Sequence, residues 1–203
     1  MALPINVEKL IAKETIESER IEFKKGWNPE DIMHSICAFA NDVNNWGGGY
    51  IVIGIEEIDG VSQLPPIGLE INQIDSYQKK IIEICHKIDP NYTPIVSPEI
   101  FQEKHILIIY VPGGDSRPYK SPRTLSNKRS EKNFWIRKCS STVKANKQDE
   151  QKLFELANKI PFDDRINHHA TIDNLSLSLM QSFLKEVKSE LFQQSSKISF
   201  AEK

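Results

Sequence analysis

Two six-residue runs, YIVIGI at 50–55 and ILIIYV at 106–111, are apolar at almost every position. A strand with one wet face alternates polar and apolar residues, so runs without alternation belong to strands buried on both faces. That requirement fixes most of the architecture: a sheet with these runs inside it, and amphipathic helices to cover both sides. Residues 95–101 precede the second run across Gln102-Glu103-Lys104, which predicts a hairpin and hence an antiparallel pair.

The covering elements can be read around these strands. Residues 7–12 set Leu10 and Ile11 among charges as a short helix, and RIEFK at 20–24 alternates as a half-buried strand does. Asn28-Pro29-Glu30-Asp31 supplies a helix start with acids at the positive end of the dipole, and Ile32, Ile36, Phe39 and Ala40 follow on one face up to about Asn41. Ile74, Tyr77, Ile81, Ile84, Cys85 and Ile88 recur at helical spacing until Asp89-Pro90; residues 134–138 read as a strand and 149–160 as an amphipathic helix. Helices and strands interleave while two strands share a hairpin, so the fold class expected is α+β (mixed α/β), a mixed sheet with flanking helices. Beyond Asn167, Leu177, Met180, Leu184, Val187 and Leu191 recur at steps of three and four, predicting a C-terminal amphipathic helix that frays from Gln193. The division expected is a domain over 1–165 and a helical extension over 166–203 with a disordered end; the apolar stripe suits a homodimer or an attached C-terminal module.

A chain of 203 residues with 39% hydrophobic content closes a core without staples. Cys37, Cys85 and Cys139 are odd in number and widely spaced, which excludes a disulfide framework and a CxxC-type zinc site. No cationic segment followed by an apolar one opens the sequence and no apolar run approaches a bilayer span, so the expected setting is a reducing cytoplasm, away from membranes. The net charge of −2 hides a lopsided distribution. Between residues 117 and 147 stand Arg117, Lys120, Arg123, Lys128, Arg129, Lys132, Arg137, Lys138, Lys144 and Lys147 against the single acid Glu131. Such a segment attracts a polyanion, and nucleic acid is the commonest.

Acids cluster in ESERIEFK at 17–24 and in Glu56-Glu57 after the YIVIGI run. Carboxylates meeting at neighbouring strand ends hold a hard divalent cation such as Mg²⁺ or Mn²⁺. Glu17 and Glu22, five apart, would face opposite sides of one strand and converge only if Glu17 lies in the turn before it. Gly47-Gly48-Gly49 runs into a strand rather than a helix and no GxxxxGK(S/T) exists, so the glycines read as turn residues and ATP has no support. His34, His86, His105, His168 and His169 show neither HExxH nor zinc-ligand spacing, and no GxSxG elbow is present.

Taken together, ESERIEFK, AFAN at 38–41, GGGYIVIGIEE at 47–57, RPY at 117–119 and WIRKCSSTVKA at 135–145 resemble, in order, the Schlafen/AlbA-type DNA-binding domain of bacterial regulator-like proteins and animal Schlafens. The resemblance covers roughly residues 5–185. It implies a mixed α/β domain with a basic groove and a nucleic-acid partner, DNA or RNA. It also implies that Glu17 and Glu22 join a third acid after the glycine-bearing strand, here Glu57 with Glu56 beside it, as the catalytic and Mg²⁺- or Mn²⁺-binding set of nuclease-active relatives. On the binding reading, Lys24, Lys25, Arg117, Lys120, Arg123, Lys128, Arg129, Arg137 and Lys138 line the groove, with Trp135 or Tyr119 stacking on unpaired bases. The leading expectation is a nucleic-acid-binding domain of a bacterial regulatory or defence protein. A metal-dependent endonuclease or endoribonuclease is the alternative, and a protein-interaction or nucleotide-sensing module is the third reading. Three departures stand out: Glu57 replaces an aspartate, residues 42–46 lengthen the loop before the glycines, and Cys139 replaces a glycine, predicting strain or a changed turn if that position needs positive φ.

Overall fold

The structure is a computed structural model that describes residues 6–11, 20–127, 129–157 and 176–193. The chain divides into two compact units, Met1–Lys159 and Ile160–Lys203. In the first, β2 (Gly49–Ile53) and β6 (Lys104–Val111) pair antiparallel, with Ile51 opposite Ile109 and Ile53 opposite Leu107. They take the inner places of a four-stranded sheet. β1 (Ile21–Lys24) lies parallel to β2 on one edge, and β5 (Ile95–Phe101) lies antiparallel to β6 on the other. The sheet is mixed, as the interleaving of elements predicts. Alternation sends Ile51, Ile53, Leu107 and Ile109 into one core and Tyr50, Val52, Ile106 and Ile108 into another, so both runs are buried on both faces.

The first core is closed by α2 (Pro29–Asn41) and α3 (Ile71–Cys85), through Ile32, Met33, Ile36 and Phe39 and through Ile74, Ile81 and Ile84. α1 (Val7–Ile11) supplies Leu10 and Ile11 to the second. α2 starts at the predicted signal: Asn28 accepts the Asp31 N–H at 3.4 Å, and Pro29 occupies the first turn, where a missing N–H costs nothing. α3 begins and ends three residues earlier than its apolar spacing indicates. The Glu70 N–H donates to the Gln73 side chain at 2.8 Å, which fixes the first turn upstream of Ile74.

A second sheet consists of β7 (Lys120–Pro122), β8 (Lys132–Lys138) and β9 (Ser141–Lys144). It packs on α2 through Trp135, whose ring stacks on His34 at 3.8 Å, and through Asn41, whose amide donates to the Tyr119 and Trp135 carbonyls at 2.9 and 2.8 Å. α2 is therefore shared between two sheets. Short strands β3 (Glu57–Ile58) and β4 (Val61–Ser62) flank the Asp59-Gly60 turn. α4 (Lys147–Ala157) lays Leu153 against Ile136 and Ala145; its predicted last turn and exit lie outside the described residues.

In the second unit α5 (Leu177–Glu186) is capped by Ser176, which accepts the Leu179 N–H at 3.4 Å, and a 3-10 turn follows at Glu190–Gln193. Within it Leu179, Phe183, Val187 and Leu191 are exposed, while Met180 and Leu184 are half-buried. The end predicted to fray lies outside the described residues beyond Gln193. No helix among the described residues is long and apolar enough to cross a membrane.

Candidate functional site

The alternation of IEFK decides where the acids go. Ile21 and Phe23 pack in the second core, so Glu22 and Lys24 face the α2 side of the sheet, opposite Ile51 and Ile53. Glu22 is 4% exposed; its Oε2 accepts from Arg137 Nη1 at 2.7 Å and its Oε1 pairs with Lys24 Nζ at 2.8 Å. Arg137 also donates to Thr142 Oγ1 at 2.9 Å and lies over the Phe39 ring at 5.0 Å. Beside this pair opens a cavity of about 290 Å³, lined among others by Glu22, Lys24, Asp31, His34, Glu57 and Thr142. His34 Nε2 sits 2.9 Å from the Pro122 carbonyl and so donates to it. Burial holds the imidazole below its ordinary value, against the opposing pull of that carbonyl, Asp31 and Glu30. Three carboxylates thus meet two cations and a neutral histidine. That balance suits a cation or hydrogen-bond donors better than a bare phosphate.

Of the predicted acids, Glu22 and Glu57 line this one cavity, and Glu17 lies outside the described residues. Asp31 joins them; in the sequence it reads only as a helix-start acid, and its place in the site depends on where α2 meets β1. Glu56 turns instead to Lys25 at 3.0 Å, and Glu57 Oε1 accepts the Gly60 N–H in the β3–β4 turn. Both Glu22 oxygens already carry a cationic partner, so a divalent ion held there would have to displace Lys24 or Arg137 or share Glu22 with them. Among the described residues no group of three or more His, Cys, Asp or Glu is placed to hold a metal ion. Cys37 and Cys85 are core residues whose thiols burial pushes up to about 12, far from a reactive thiolate.

The predicted basic residues separate into two groups. Arg117 is an internal tie: its Nε donates to the Gly114 carbonyl at 2.8 Å and its Nη1 to the Asp42 carbonyl at 3.3 Å. Arg137 is 6% exposed and Lys24 bridges Glu22, so these three work inside the fold. On the surface, Lys120 and Lys132 flank Asp89 at 3.6 and 3.4 Å, and Lys138 meets Asp149 at 2.8 Å. Burial alone would raise the Asp149 pKa, but Lys138 and the Asn146 N–H outweigh it and hold the carboxyl below its ordinary value. Register places Lys120, Lys132 and Lys138 on the face of the second sheet turned away from His34. Arg123 and Arg129 are exposed in the β7–β8 connection, and Lys144 and Lys147 at the end of β9 and the start of α4; Lys128 lies outside the described residues. Glu30 anchors that connection to α2, accepting from Thr124 Oγ1 at 2.6 Å and the Leu125 N–H at 2.7 Å; these bonds, Thr124 first, lower its pKa. The residues read as stacking platforms are unavailable: Tyr119 is 3% exposed and Trp135 is covered by His34.

The glycine triplet serves the turn. A Cβ on Gly48 would stand 1.9 Å from the Val111 carbonyl oxygen, and φ there is +78°. The lengthened loop is tied down, because the Asp42 carboxylate accepts the Trp46 and Gly47 N–H groups, both at 2.9 Å. Cys139 does adopt the positive φ expected of a glycine, +53°.

Residues 17–146 match the family described as Schlafen, AlbA_2. The chain belongs to that family. A solved structure similar to this Schlafen, AlbA_2 chain is the DIP2311 protein from Corynebacterium diphtheriae, at 17% identity and a TM-score of 0.50 over 96% of this chain and 39% of that one. The chain thus spans 39% of that protein's length, and the likeness is one of fold. Another is the N-terminal domain of a RecG-related protein from Nitrosomonas europaea, at 21% identity and a TM-score of 0.43 over 81% of this chain and 94% of that one. No curated protein matches the chain.

Proposed function

We propose that this Schlafen, AlbA_2 domain binds nucleic acid through the second sheet and its connections. The observation that carries the reading is the run of exposed cations on the second sheet and its connections: Lys132 and Lys138 on the face turned away from His34, Arg123 and Arg129 in the β7–β8 connection, and Lys144 and Lys147 where β9 leads into α4. Exposed ion pairs such as Lys120–Asp89 and Lys132–Asp89 are worth about 1 kcal/mol or less, so these lysines exchange a carboxylate for a phosphate at little cost. Contact with phosphates positions a strand without reading its sequence, and the same surface serves DNA and RNA. The test is retention of labelled single-stranded DNA, structured RNA and duplex DNA at two salt concentrations. Retention that weakens steeply with salt supports the reading, and its absence at low salt refutes it.

A second reading, metal-dependent cleavage, is favoured by one observation: Glu22 and Glu57 open onto the same cavity. They would hold Mg²⁺ or Mn²⁺, whose chemistry is to polarise a phosphate oxygen and activate water. The same incubations with Mn²⁺ or EDTA test it. Cleavage that needs metal and is lost in Glu22→Gln and in Glu57→Gln, with retention kept, supports the nuclease; no cleavage in the unaltered protein removes it.

A further inference from the structure

Trp46 is 52% exposed, yet the chain that carries it is held firmly. Its N–H and that of Gly47 are bound by the Asp42 carboxylate, and the Asn45 N–H by the Asp42 carbonyl at 2.8 Å. Arg117 Nη1 reaches the Asp42 carbonyl and Asn45 Oδ1 at 3.3 and 3.5 Å, Arg20 Nε donates to the Gly48 carbonyl at 3.1 Å, and Val43 packs with Ile136, Ala145 and Leu153. The loop is thereby fastened to the sheet that carries the exposed cations. Trp46 borders a small cavity with Arg20, Asn44 and Arg137, and Asn44 borders a neighbouring one with Lys152.

A single exposed apolar side chain is ordinary on a protein surface and calls for no function by itself. Three features set this one apart. Its backbone is fixed by a hydrogen-bonded turn, so presenting the ring costs little order on binding. Two guanidinium groups bond to the loop, Arg20 at the Gly48 carbonyl and Arg117 at Asn45 Oδ1, and the other two tryptophans are engaged, Trp27 with Tyr77 at 5.0 Å and Trp135 with His34 at 3.8 Å. An indole offered beside Arg20, on a loop that also borders the exposed Lys152, has the chemistry to stack on a base whose partner is missing, while these two cations attract its phosphate.

We propose that Trp46 is a base-stacking residue and that the ligand class of this surface is therefore single-stranded nucleic acid. This rests on the nucleic-acid reading above. A duplex keeps its bases stacked on one another and gives the ring nothing to cover.

The experiment titrates the full chain with an oligothymidylate, an oligouridylate and a duplex of equal length, followed by tryptophan fluorescence and by retention. Single strands are expected to quench the exposed indole. Trp46→Ala is expected to weaken single-strand affinity about 5- to 100-fold and leave the duplex unchanged, with Trp46→Phe recovering part of the loss. The two single-strand arms distinguish DNA from RNA as the source of the base. An Arg123→Glu/Arg129→Glu variant is the control for phosphate binding. If that variant loses affinity while Trp46→Ala binds single strands as the unaltered protein does, stacking is overturned and the phosphate reading stands. If the unaltered protein retains none of the three probes, both fall together.

Discussion

Cys139 shows how one residue records a conflict between a turn and its sequence. Lys138 pairs with Ser141, so Cys139 and Ser140 form a two-residue turn, and Cys139 sits at φ +53°. An L side chain in that region costs about 1–2 kcal/mol, while a glycine gives back part of the gain through the greater entropy of the unfolded chain. Cys139→Gly is expected to stabilise the protein by about 0.5–1 kcal/mol, seen as a higher urea midpoint at unchanged slope. His34 carries a pH dependence of definite sign. Its pKa in the fold lies below the ordinary 6.5, burial outweighing Pro122, Asp31 and Glu30, so the unfolded chain takes up the proton first. Its contribution is complete above about pH 6.5 and is lost as the pH falls through the lowered value. The thermal midpoint should drop between about pH 7.5 and 5.5 in the unaltered protein, and less in His34→Phe, which keeps a ring on Trp135 but has no proton to bind. Equal drops in the two proteins would show that His34 does not titrate in this way.

At the scale of elements, α2 is the hinge of the design, with one sheet on each side and the Glu22–Arg137 pair tying β1 to β8 beside it. Side chains 5% and 6% exposed make this a buried pair, and losing Arg137 leaves Glu22 with Lys24 as its remaining cation at a cost of about 3 kcal/mol, the lower end for a broken buried pair. Arg137→Met is expected to lose that much stability, and Glu22→Leu/Arg137→Met to recover most of it, as measured by chemical denaturation of both proteins. Equal losses would mean that the pair is not what couples the strands. How far these elements are legible depends on the range of the forces that make them. YIVIGI and ILIIYV state their own burial, and the Asn28-Pro29 start of α2 is a local signal. β7 carries Pro122 and spans Lys120–Pro122, three residues, and exists because Asn133 and Phe134 pair with it from across the chain, so no local pattern announces it. The site divides in the same way. Glu22 and Glu57 can be suspected from strand position, but Asp31 becomes part of the cavity only through packing, and Arg137 and Arg117 read as surface cations until the fold buries one and spends the other on carbonyl groups.

For the whole molecule, a net charge of −2 gives no hint of affinity for a polyanion, because screening confines each interaction to about 8–10 Å and a ligand meets one surface at a time. What counts is the number of phosphates neutralised. Six contacts on the second sheet and its connections would give a slope of log K against log salt of about −5 for duplex and about −4 for single strands. Lysines already paired with Asp89 and Asp149 contribute less than their number suggests, since each contact also breaks an ion pair. Arg123 and Arg129, exposed in the connection that Glu30 clamps to α2, should therefore carry a large share. Reversing both is expected to reduce the magnitude of the slope by about 2 or more, with little change in thermal midpoint because neither side chain is buried. Affinities at four or five salt concentrations measure this directly. An unchanged slope with weakened affinity would mean that the charge reversal disturbs the connection rather than removing phosphate contacts, and would move the binding surface elsewhere on the domain.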